Sequence, residues 1–371
     1  MALTTTACDG LLGGGADGGA EGPIVLGMHI PLSGSSADIG PYMKNGAQLA
    51  VDEINAAGGV LGRKLRLQVE DDACDPKTAV AAANKLVAAD ATVSVGGYCS
   101  GATLPTLPIF NKRKIPMIIP AANSNELVAQ RLEHVFLING TGSQQADAAV
   151  DWLTKEGAKN VAVIDDNTSY SKDIADLTAA RLGTAGAPAK ATEQTVNPGE
   201  SDYSPNVTSV LKSNPDYIYW TGYYQEGGLL IRQFRQAGYK GKFLVADGSV
   251  DPKLVKIAGA ADSQGVYATM TQTPQTTPGA EGWIASYEAK FGSAPGPYST
   301  QSYDAVRVAA EAVKKAGSTD GDKITSALEG LNGFKTFSGP LKFTPEHTLS
   351  NGGFVILSVK DGNFVLQDSL K

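Results

Sequence analysis

The chain has 371 residues and a net charge of −7, from 31 Lys and Arg against 38 Asp and Glu, with 42% hydrophobic and 19% charged residues. This length suits two domains with their own cores, and the composition is typical of a globular rather than a disordered protein. The sequence shows no block of basic residues, which argues against a nucleic-acid partner, and no apolar run near the roughly 20 residues of a membrane helix.

The first 23 residues are predicted to be a leader followed by a glycine-rich tether. Cys8 follows small residues and precedes GLLGGGADGG, as the acylated cysteine of a bacterial lipoprotein does, although Thr5 stands where that motif normally has leucine. Residues 13–18 match G-x-G-x-x-G, but no strand precedes them, so we interpret them as linker and not as a dinucleotide site. The leader therefore predicts an extracytoplasmic protein, in the periplasm or at the cell surface of a bacterium, held to the membrane only by a lipid at Cys8.

The next part of the chain alternates strand-like and helix-like segments. Residues 24–30 are an apolar run between Pro23 and Pro31, which is typical of a buried strand. The pattern then predicts a helix at 41–57, a strand at 64–70, a helix at 77–89, a strand at 92–97, a helix, and a strand at 115–120. This order predicts one doubly wound α/β lobe.

A second series of the same kind begins near Gly142. Strands are predicted at 160–165, 189–195, 216–220, 242–246 and 265–269, with helices between them. Helices near 279–291, 300–317 and 322–331 have no parallel strands between them, so we expect them to cover the first lobe. The tail at 352–366 is predicted to form an antiparallel hairpin.

The predicted fold class is thus α/β, with two doubly wound lobes joined by a multi-strand hinge. We assign residues 24–140 and 271–343 to lobe 1, and residues 141–270 and 344–371 to lobe 2. Hinge segments are expected near 137–142, 268–271 and 342–346. A cleft between two lobes is where small ligands bind preferentially.

Two polar turns follow neighbouring predicted strands of lobe 1. Ser100 begins the helix after the first turn, where free N–H groups favour a carboxylate. The second turn contains Ala121, Ala122 and Asn123, whose carbonyl and amide oxygens are suited to an ammonium. Because the carboxyl ends of parallel strands meet at one edge, the two turns predict a pocket for a small zwitterion. The alternative is that Ser100 and Asn123 are only a helix cap and a turn residue.

Lobe 2 directs further polar groups toward the same cleft. Tyr170, Tyr223 and Asp247 each lie in a polar segment after a predicted strand. An aspartate pairs with an ammonium through charge-assisted hydrogen bonds, and a tyrosine stacks or donates its hydroxyl hydrogen. Singly, each of these residues is commonly part of a turn or a rim; jointly they predict a ligand site.

The cysteines and histidines predict neither a metal nor a cofactor. The three cysteines allow one disulfide with one cysteine left over. Cys74 and Cys99 each follow a strand of the same predicted sheet, so we expect them to lie near each other. His29, His134 and His347 are isolated from the cysteines and from each other. No catalytic motif is present, so we predict a binding protein and not an enzyme.

Several short motifs resemble a known family. They are Pro31-Leu32-Ser33-Gly34, Asp52-Glu53-Ile54-Asn55-Ala56-Ala57-Gly58-Gly59, Asp71-Asp72-Ala73-Cys74-Asp75-Pro76-Lys77, Cys99-Ser100, Pro120-Ala121-Ala122-Asn123, Trp220-Thr221-Gly222-Tyr223, Arg232-Gln233 and Ser338-Gly339-Pro340-Leu341. Together they resemble a type I periplasmic solute-binding protein of the leucine/isoleucine/valine-binding group that serves ABC importers. The similarity spans about residues 24–366.

The resemblance implies a role for most of the residues singled out above. In such proteins, Ser100 and the backbone around Ala121 would hold the ligand carboxylate and amine, with Asn123 standing where Thr or Ser is usual. Tyr170 and Tyr223 would close over the ligand from lobe 2. Asp247 stands at a position where the family often has Glu, and it would pair with the ligand ammonium. Cys74 and Cys99 would form the family's disulfide.

Departures from the family pattern bear on ligand size. Ile39 replaces an aromatic residue often found in the first loop, and Tyr98 stands where several members have a smaller aliphatic residue. Tyr298 is expected to be a further wall. A bulkier wall predicts a small ligand such as alanine, valine, proline or γ-aminobutyrate, rather than leucine.

The implied function is that of an ABC importer's binding component, whose partners are an amino acid and the permease subunits. A monomer is expected. The alternatives are a ligand-sensing domain of the same fold, and a binder of γ-aminobutyrate, amides or aromatic acids.

Overall fold

The structure is a computed structural model that describes residues 22–370. Cys8 and the glycine-rich segment lie outside the described residues. The strands are β1 (Ile24–Ile30), β2 (Leu65–Asp71), β3 (Val93–Ser94), β4 (Met117–Ile119), β5 (Val135–Leu137), β6 (Asn160–Asp165), β7 (Ala189–Thr195), β8 (Tyr217–Trp220), β9 (Lys242–Val245), β10 (Val266–Thr271), β11 (Asn332–Thr336), β12 (Gly339–Lys342), β13 (Phe354–Lys360) and β14 (Asn363–Asp368).

The α-helices lie between and after these strands. They are α1 (Ile39–Ala56), α2 (Pro76–Ala88), α3 (Ser100–Thr103), α4 (Leu107–Lys112), α5 (Glu126–Ala129), α6 (Gly142–Lys155), α7 (Ser169–Arg181), α8 (Ser204–Leu211), α9 (Tyr224–Gln236), α10 (Pro252–Ala258), α11 (Glu281–Phe291), α12 (Ser299–Ala316) and α13 (Gly321–Glu329). Short 3-10 turns occupy Leu104–Thr106, Asp247–Ser249 and Pro274–Thr276. None of the helices within residues 22–370 combines the length and apolar character required to cross a bilayer.

The first sheet is wholly parallel, with strand order β2-β1-β3-β4-β5. Every residue of β1 is buried, as its mainly apolar sequence predicts for a central strand covered on both faces. We use "lobe 1" for this sheet and the helices packed on it. These include α12, which packs against α1 so closely that a Cβ on Gly46 would lie 2.0 Å from the carbonyl oxygen of Ser299.

The second sheet has seven strands in the order β14-β13-β10-β9-β8-β6-β7. Strands β6 to β10 pair in parallel, whereas β13 and β14 add an antiparallel hairpin at one edge, as the tail of the sequence predicts. We use "lobe 2" for this sheet and its helices. One parallel and one mostly parallel sheet, each with helices on its faces, confirm the predicted α/β fold of two doubly wound lobes.

The structure corrects several predicted elements. The strand expected at 92–97 is hydrogen-bonded as a ladder only at Val93–Ser94, although Val95 and Gly97 still donate to β1 carbonyls. The helix expected after Gly101 is broken into α3, a 3-10 turn and α4, because Pro105 and Pro108 lack the N–H groups that a continuous helix needs. The hairpin of β11 and β12 was not predicted, because its glycines and Pro340 obscure the alternation of a strand.

Three connections carry the chain between the lobes. They run from β5 to α6, from β10 to α11, and from β12 to β13. The three segments expected to act as hinges lie at or beside these connections. The boundaries assigned from the sequence, and hinge motion itself, stay predictions.

Candidate ligand-binding cleft

The two polar turns of lobe 1 meet at Ser100. Its hydroxyl oxygen accepts hydrogen bonds from the backbone N–H groups of Asn123 at 3.3 Å and Ser124 at 3.2 Å. Because the oxygen acts as the acceptor in both bonds, the hydroxyl hydrogen remains for another acceptor. Ser100 is therefore both the link between the turns and a donor at the cleft.

The disulfide between Cys74 and Cys99 holds the first turn in place. The two Cα atoms are 5.5 Å apart, and the bond links the end of β2 to the residue that precedes α3. Asp72 supports the same region, since its side chain accepts from the N–H of Cys74 at 2.9 Å and from His29 at 3.0 Å. The backbone next to Ser100 is therefore held in place by a covalent bond.

Ala121 and Ala122 contribute backbone groups that already have protein partners. The carbonyl of Ala121 accepts from the Asn139 amide at 2.6 Å, and the N–H of Ala122 donates to Gly97 at 3.1 Å. Both residues are buried. The Ala121 carbonyl thus keeps one lone pair for a ligand.

The carboxylate of Asp247 lies at the centre of the cleft. Its Oδ1 accepts from the Tyr170 hydroxyl at 2.5 Å and the Gln145 amide at 2.9 Å, and its Oδ2 accepts from the Tyr298 hydroxyl at 2.6 Å. Only 1% of Asp247 is exposed, and this burial raises the pKa of its carboxyl above the usual range. Across residues 22–370, no Lys, Arg or His side chain hydrogen-bonds to it or forms an ion pair with it.

An aromatic cluster surrounds this carboxylate. The ring of Tyr98 lies 6.0 Å from that of Tyr223 and 5.5 Å from that of Tyr298, and the rings of Tyr170 and Tyr223 are 5.1 Å apart. Burial raises the pKa of all four tyrosines well above the usual range, so they act as neutral hydroxyl groups. The Tyr98 hydroxyl is buried and has no partner among the described residues.

Gln145 is a cleft residue that sequence reasoning missed. It lies on α6, is fully buried, and hydrogen-bonds to Asn123 of lobe 1 and to Asp247 of lobe 2. Its position inside a predicted helix looks ordinary in the sequence. The only available signal was its place in the first turn of a helix that follows a chain crossing.

The structure brings the nine predicted site residues together. Hydrogen bonds and ring contacts connect all of them except Ala121 and Ala122, which adjoin Asn123 along the chain. Lobe 1 contributes Tyr98, Ser100, Ala121, Ala122, Asn123 and Tyr298, and lobe 2 contributes Tyr170, Tyr223 and Asp247. No group of His, Cys, Asp and Glu that could hold a metal occurs in the described part of the chain.

The lobes also touch at both rims of the cleft. On one side the Tyr224 hydroxyl lies 2.8 Å from the Ser35 carbonyl oxygen and 3.0 Å from a carboxylate oxygen of Asp38, which are two acceptors for its single hydrogen, and Lys253 pairs with Asp38. On the other side the N–H of Asn125 donates to Asp173 at 2.9 Å. The structure therefore shows the two lobes closed on each other.

Comparison with known proteins agrees with this architecture. Residues 23–363 match the model of a family described as periplasmic binding protein. The Leu/Ile/Val-binding protein homolog 1 of Brucella abortus is 33% identical over 347 residues, which are 93% of this chain and 92% of that protein. The leucine-, isoleucine-, valine-, threonine- and alanine-binding protein of Pseudomonas aeruginosa is 32% identical over 91% of this chain and 90% of its own length.

Two solved structures are similar over nearly the whole chain. The leucine-binding protein LivK of Thermotoga maritima superposes with a TM-score of 0.83 at 28% identity, covering 93% of this chain and 97% of its own. The substrate-binding protein LivJ of Streptococcus pneumoniae, solved in complex with isoleucine, has a TM-score of 0.84 at 26% identity and covers 93% and 100% of the two chains. The chain belongs to the periplasmic binding protein family.

Proposed function

We propose that this protein is the extracytoplasmic substrate-binding component of an ABC importer and that it binds a small neutral or branched aliphatic amino acid between its lobes. The observation that carries the proposal is the buried carboxylate of Asp247, which has three neutral donors and no cationic partner within residues 22–370. A buried charge is costly unless it is paired. The ammonium group of an amino acid supplies the missing cation.

The ligand's other groups have matching partners in the same cleft. A carboxylate oxygen has about two acceptor positions; Oδ1 of Asp247 already receives two donors, whereas Oδ2 receives one. The ammonium would therefore bind Oδ2. The free hydroxyl hydrogen of Ser100 would meet the ligand carboxylate, and the aromatic cluster would enclose the side chain.

The aromatic cluster supports a small side chain. Tyr98 and Tyr298 both approach the cleft from lobe 1, and Tyr223 of lobe 2 contacts the ring of Tyr98. We therefore expect alanine, valine, proline or γ-aminobutyrate to bind in preference to leucine. The names of the relatives in Brucella and Pseudomonas support an aliphatic amino acid, and both names include leucine as well as valine.

Ligand binding would favour closure, because Ser100 and Asn123 contact the ligand from one lobe while Tyr170, Tyr223 and Asp247 contact it from the other. The permease subunits would then recognise the closed form. A monomer attached through a lipid at Cys8 is part of this proposal.

Isothermal titration of the purified protein with single amino acids tests it. The panel is alanine, valine, leucine, proline, γ-aminobutyrate and phenylalanine, repeated on Asp247→Ala. We expect a small or branched aliphatic member to bind and the variant to lose most of that binding. If no member of the panel binds, with the protein folded and free of carried-over ligand, the ligand is not an amino acid of this class. Binding of phenylalanine alone would favour aromatic acids.

A further inference from the structure

The orientation of the Gln145 side-chain amide follows from its neighbours. Its Nε2 lies 2.9 Å from Asp247 Oδ1 and 2.9 Å from Thr269 Oγ1. A carboxylate oxygen that also receives a tyrosine hydroxyl can only accept, so the nitrogen and not the oxygen of Gln145 must face it. The two N–H hydrogens of Gln145 are then both donated.

The orientation of Asn123 follows in turn. Since Gln145 Oε1 can only accept, the Asn123 atom 2.8 Å from it must be the donor Nδ2. The other end of the Asn123 amide, Oδ1, is therefore an acceptor. It is fully buried and has no hydrogen-bond partner among the described residues.

Such an acceptor is costly to leave unpaired. A buried carbonyl oxygen without a donor loses about 1–3 kcal/mol of hydration free energy. Asp247 Oδ2 in the same cleft also has room for one further donor, so a ligand that brings two donors satisfies both oxygens. The chain Asn123–Gln145–Asp247 thus presents two acceptors, one from each lobe, at the two ends of a single glutamine.

We infer that Gln145 is a positioning and specificity-determining residue: it turns the Asn123 carbonyl oxygen toward the ligand so that this oxygen and Asp247 Oδ2 together seat a nitrogen bearing at least two hydrogens. This inference rests on the proposed function and deepens it. Primary ammonium groups and the secondary ammonium of proline satisfy both acceptors. A 2-hydroxy acid, which has one hydroxyl hydrogen and no positive charge, satisfies only one.

The same hydrogen bonds join the lobes. The bond from Asn123 to Gln145 crosses from lobe 1 to lobe 2, so the amine seat is complete only when the cleft is closed. Selection of the amine and closure of the lobes are therefore one event.

The test compares L-valine with 2-hydroxyisovalerate, which keeps the same side chain and carboxylate. Affinities are measured by titration on the whole protein, and L-alanine with L-lactate replaces the pair if alanine is the panel member that binds. The wild type should prefer the amino acid by at least about 100-fold, because a site built to receive N–H donors rejects analogues that lack them. Gln145→Leu and Asn123→Leu should each lower that preference at least about tenfold.

A double-mutant cycle separates positioning from general damage. If Gln145 acts through Asn123, the two substitutions remove the same interaction. The double variant Gln145→Leu/Asn123→Leu should then prefer the amino acid over the 2-hydroxy acid no less than does the single variant with the lower preference, because the effects of coupled residues are not additive. The matched control is Gln48→Leu, which removes a helix glutamine that hydrogen-bonds to Asp52 away from the cleft, and which should leave the preference unchanged. Thermal unfolding checks that each variant is folded, and Gln145→Met replaces Gln145→Leu if the latter is not.

The outcomes are distinguishable. A wild type that binds no amino acid overturns the proposed function and this inference with it. Amino-acid binding with a preference that stays within about threefold of wild type in the folded variants overturns only the role of Gln145, as do fully additive effects in the cycle. If neither Gln145 variant folds, Asn123→Leu tests the step on which the inference depends, and a preference unchanged in that variant overturns the inference.

Discussion

Tyr298 donates a 2.6 Å hydrogen bond to Asp247 across the cleft, from the first residue before α12 on lobe 1 to the end of β9 on lobe 2. The backbone of Tyr298 is left-handed, with φ at 63°, which is uncommon for an aromatic residue. A strained backbone conformation persists only where the surrounding packing and hydrogen bonds hold it in place, and such residues are concentrated at functional sites. Here it places a buried hydroxyl on a carboxylate that residues of both lobes contact.

Replacing Asp247 by asparagine tests whether the carboxylate binds a cation. The substitution keeps the size of the side chain and removes its charge. We expect the affinity for the amino-acid ligand to fall at least about 100-fold, because removing one partner of a buried, hydrogen-bonded charge pair costs about 2–5 kcal/mol. The unfolding temperature of the unliganded protein should not fall, since burial raises the pKa of this group and therefore opposes its charged form.

The matched control for this prediction is Asp90→Asn. Asp90 is exposed, lies outside the cleft, and has a positive φ of 56° that asparagine tolerates. Titration calorimetry measures the ligand affinity, and thermal unfolding measures the unfolding temperature of the unliganded protein. An Asp247→Asn protein that keeps its affinity would show that the ligand has no cationic group at this position.

The disulfide should matter for both stability and binding. It closes a loop across a sequence separation of 25, and the loss of loop-closure entropy from the unfolded chain predicts about 3.5 kcal/mol of stabilisation. The double variant Cys74→Ser/Cys99→Ser should therefore unfold at lower urea concentration. Ligand affinity should fall as well, because Cys99 precedes Ser100.

Urea unfolding under oxidising and reducing conditions checks this expectation. The reductant should lower the midpoint of the wild type to that of the double variant and leave the variant unchanged. Equal midpoints for wild type and variant without reductant would contradict the stabilising role.

Ligand affinity should depend on pH through Asp173 at the rim of the cleft. Burial, with smaller contributions from Glu126 and Asp176, raises the pKa of Asp173 from 3.8 to about 6 in the closed protein. If opening exposes the group, its pKa returns toward 3.8, so the protonated form favours closure. The advantage is complete below about pH 4 and is lost as the pH rises through 6.

The variant Asp173→Asn removes this penalty while keeping an acceptor for the Asn125 N–H. Because Asp173 is partly exposed, solvent reduces the effect, and we expect the variant to bind about fivefold more tightly than wild type at pH 7.5. The difference between the two proteins should shrink steadily as the pH falls from 7.5 and should vanish only below about pH 4, where the group is protonated in both the open and the closed form. Groups that titrate in both proteins affect both affinities equally, so their effect cancels in the ratio of the two affinities. A ratio that does not change with pH would contradict the proposed link between protonation of Asp173 and closure.

The sequence predicted most of the architecture because apolar periodicity and Gly or Pro boundaries report directly on local structure. It also placed Ser100, Asn123 and Asp247 in one cleft, because the carboxyl ends of parallel strands must meet. Gln145 was not predicted as a cleft residue, because the sequence pattern of a polar residue in a helix is the same whether the side chain faces solvent or a buried carboxylate. Its role depends on where α6 packs after the chain changes lobes, and periodicity carries no information about that.

The side chain of Tyr98 should set the size of the ligand. It lies between Tyr223 and Tyr298, and its hydroxyl has no partner within the described residues, so shortening it leaves no other protein group unpaired. Tyr98→Leu should open the wall of the cleft and raise the affinity for leucine relative to alanine at least about tenfold, because even one methylene group in an apolar pocket is worth about 1–3 kcal/mol. Tyr98→Phe keeps the ring, serves as the control and should leave the order of affinities unchanged. Titration of all three proteins with alanine, valine and leucine gives that order, and a wild type that binds leucine more tightly than valine or alanine would contradict the small pocket from which the prediction starts.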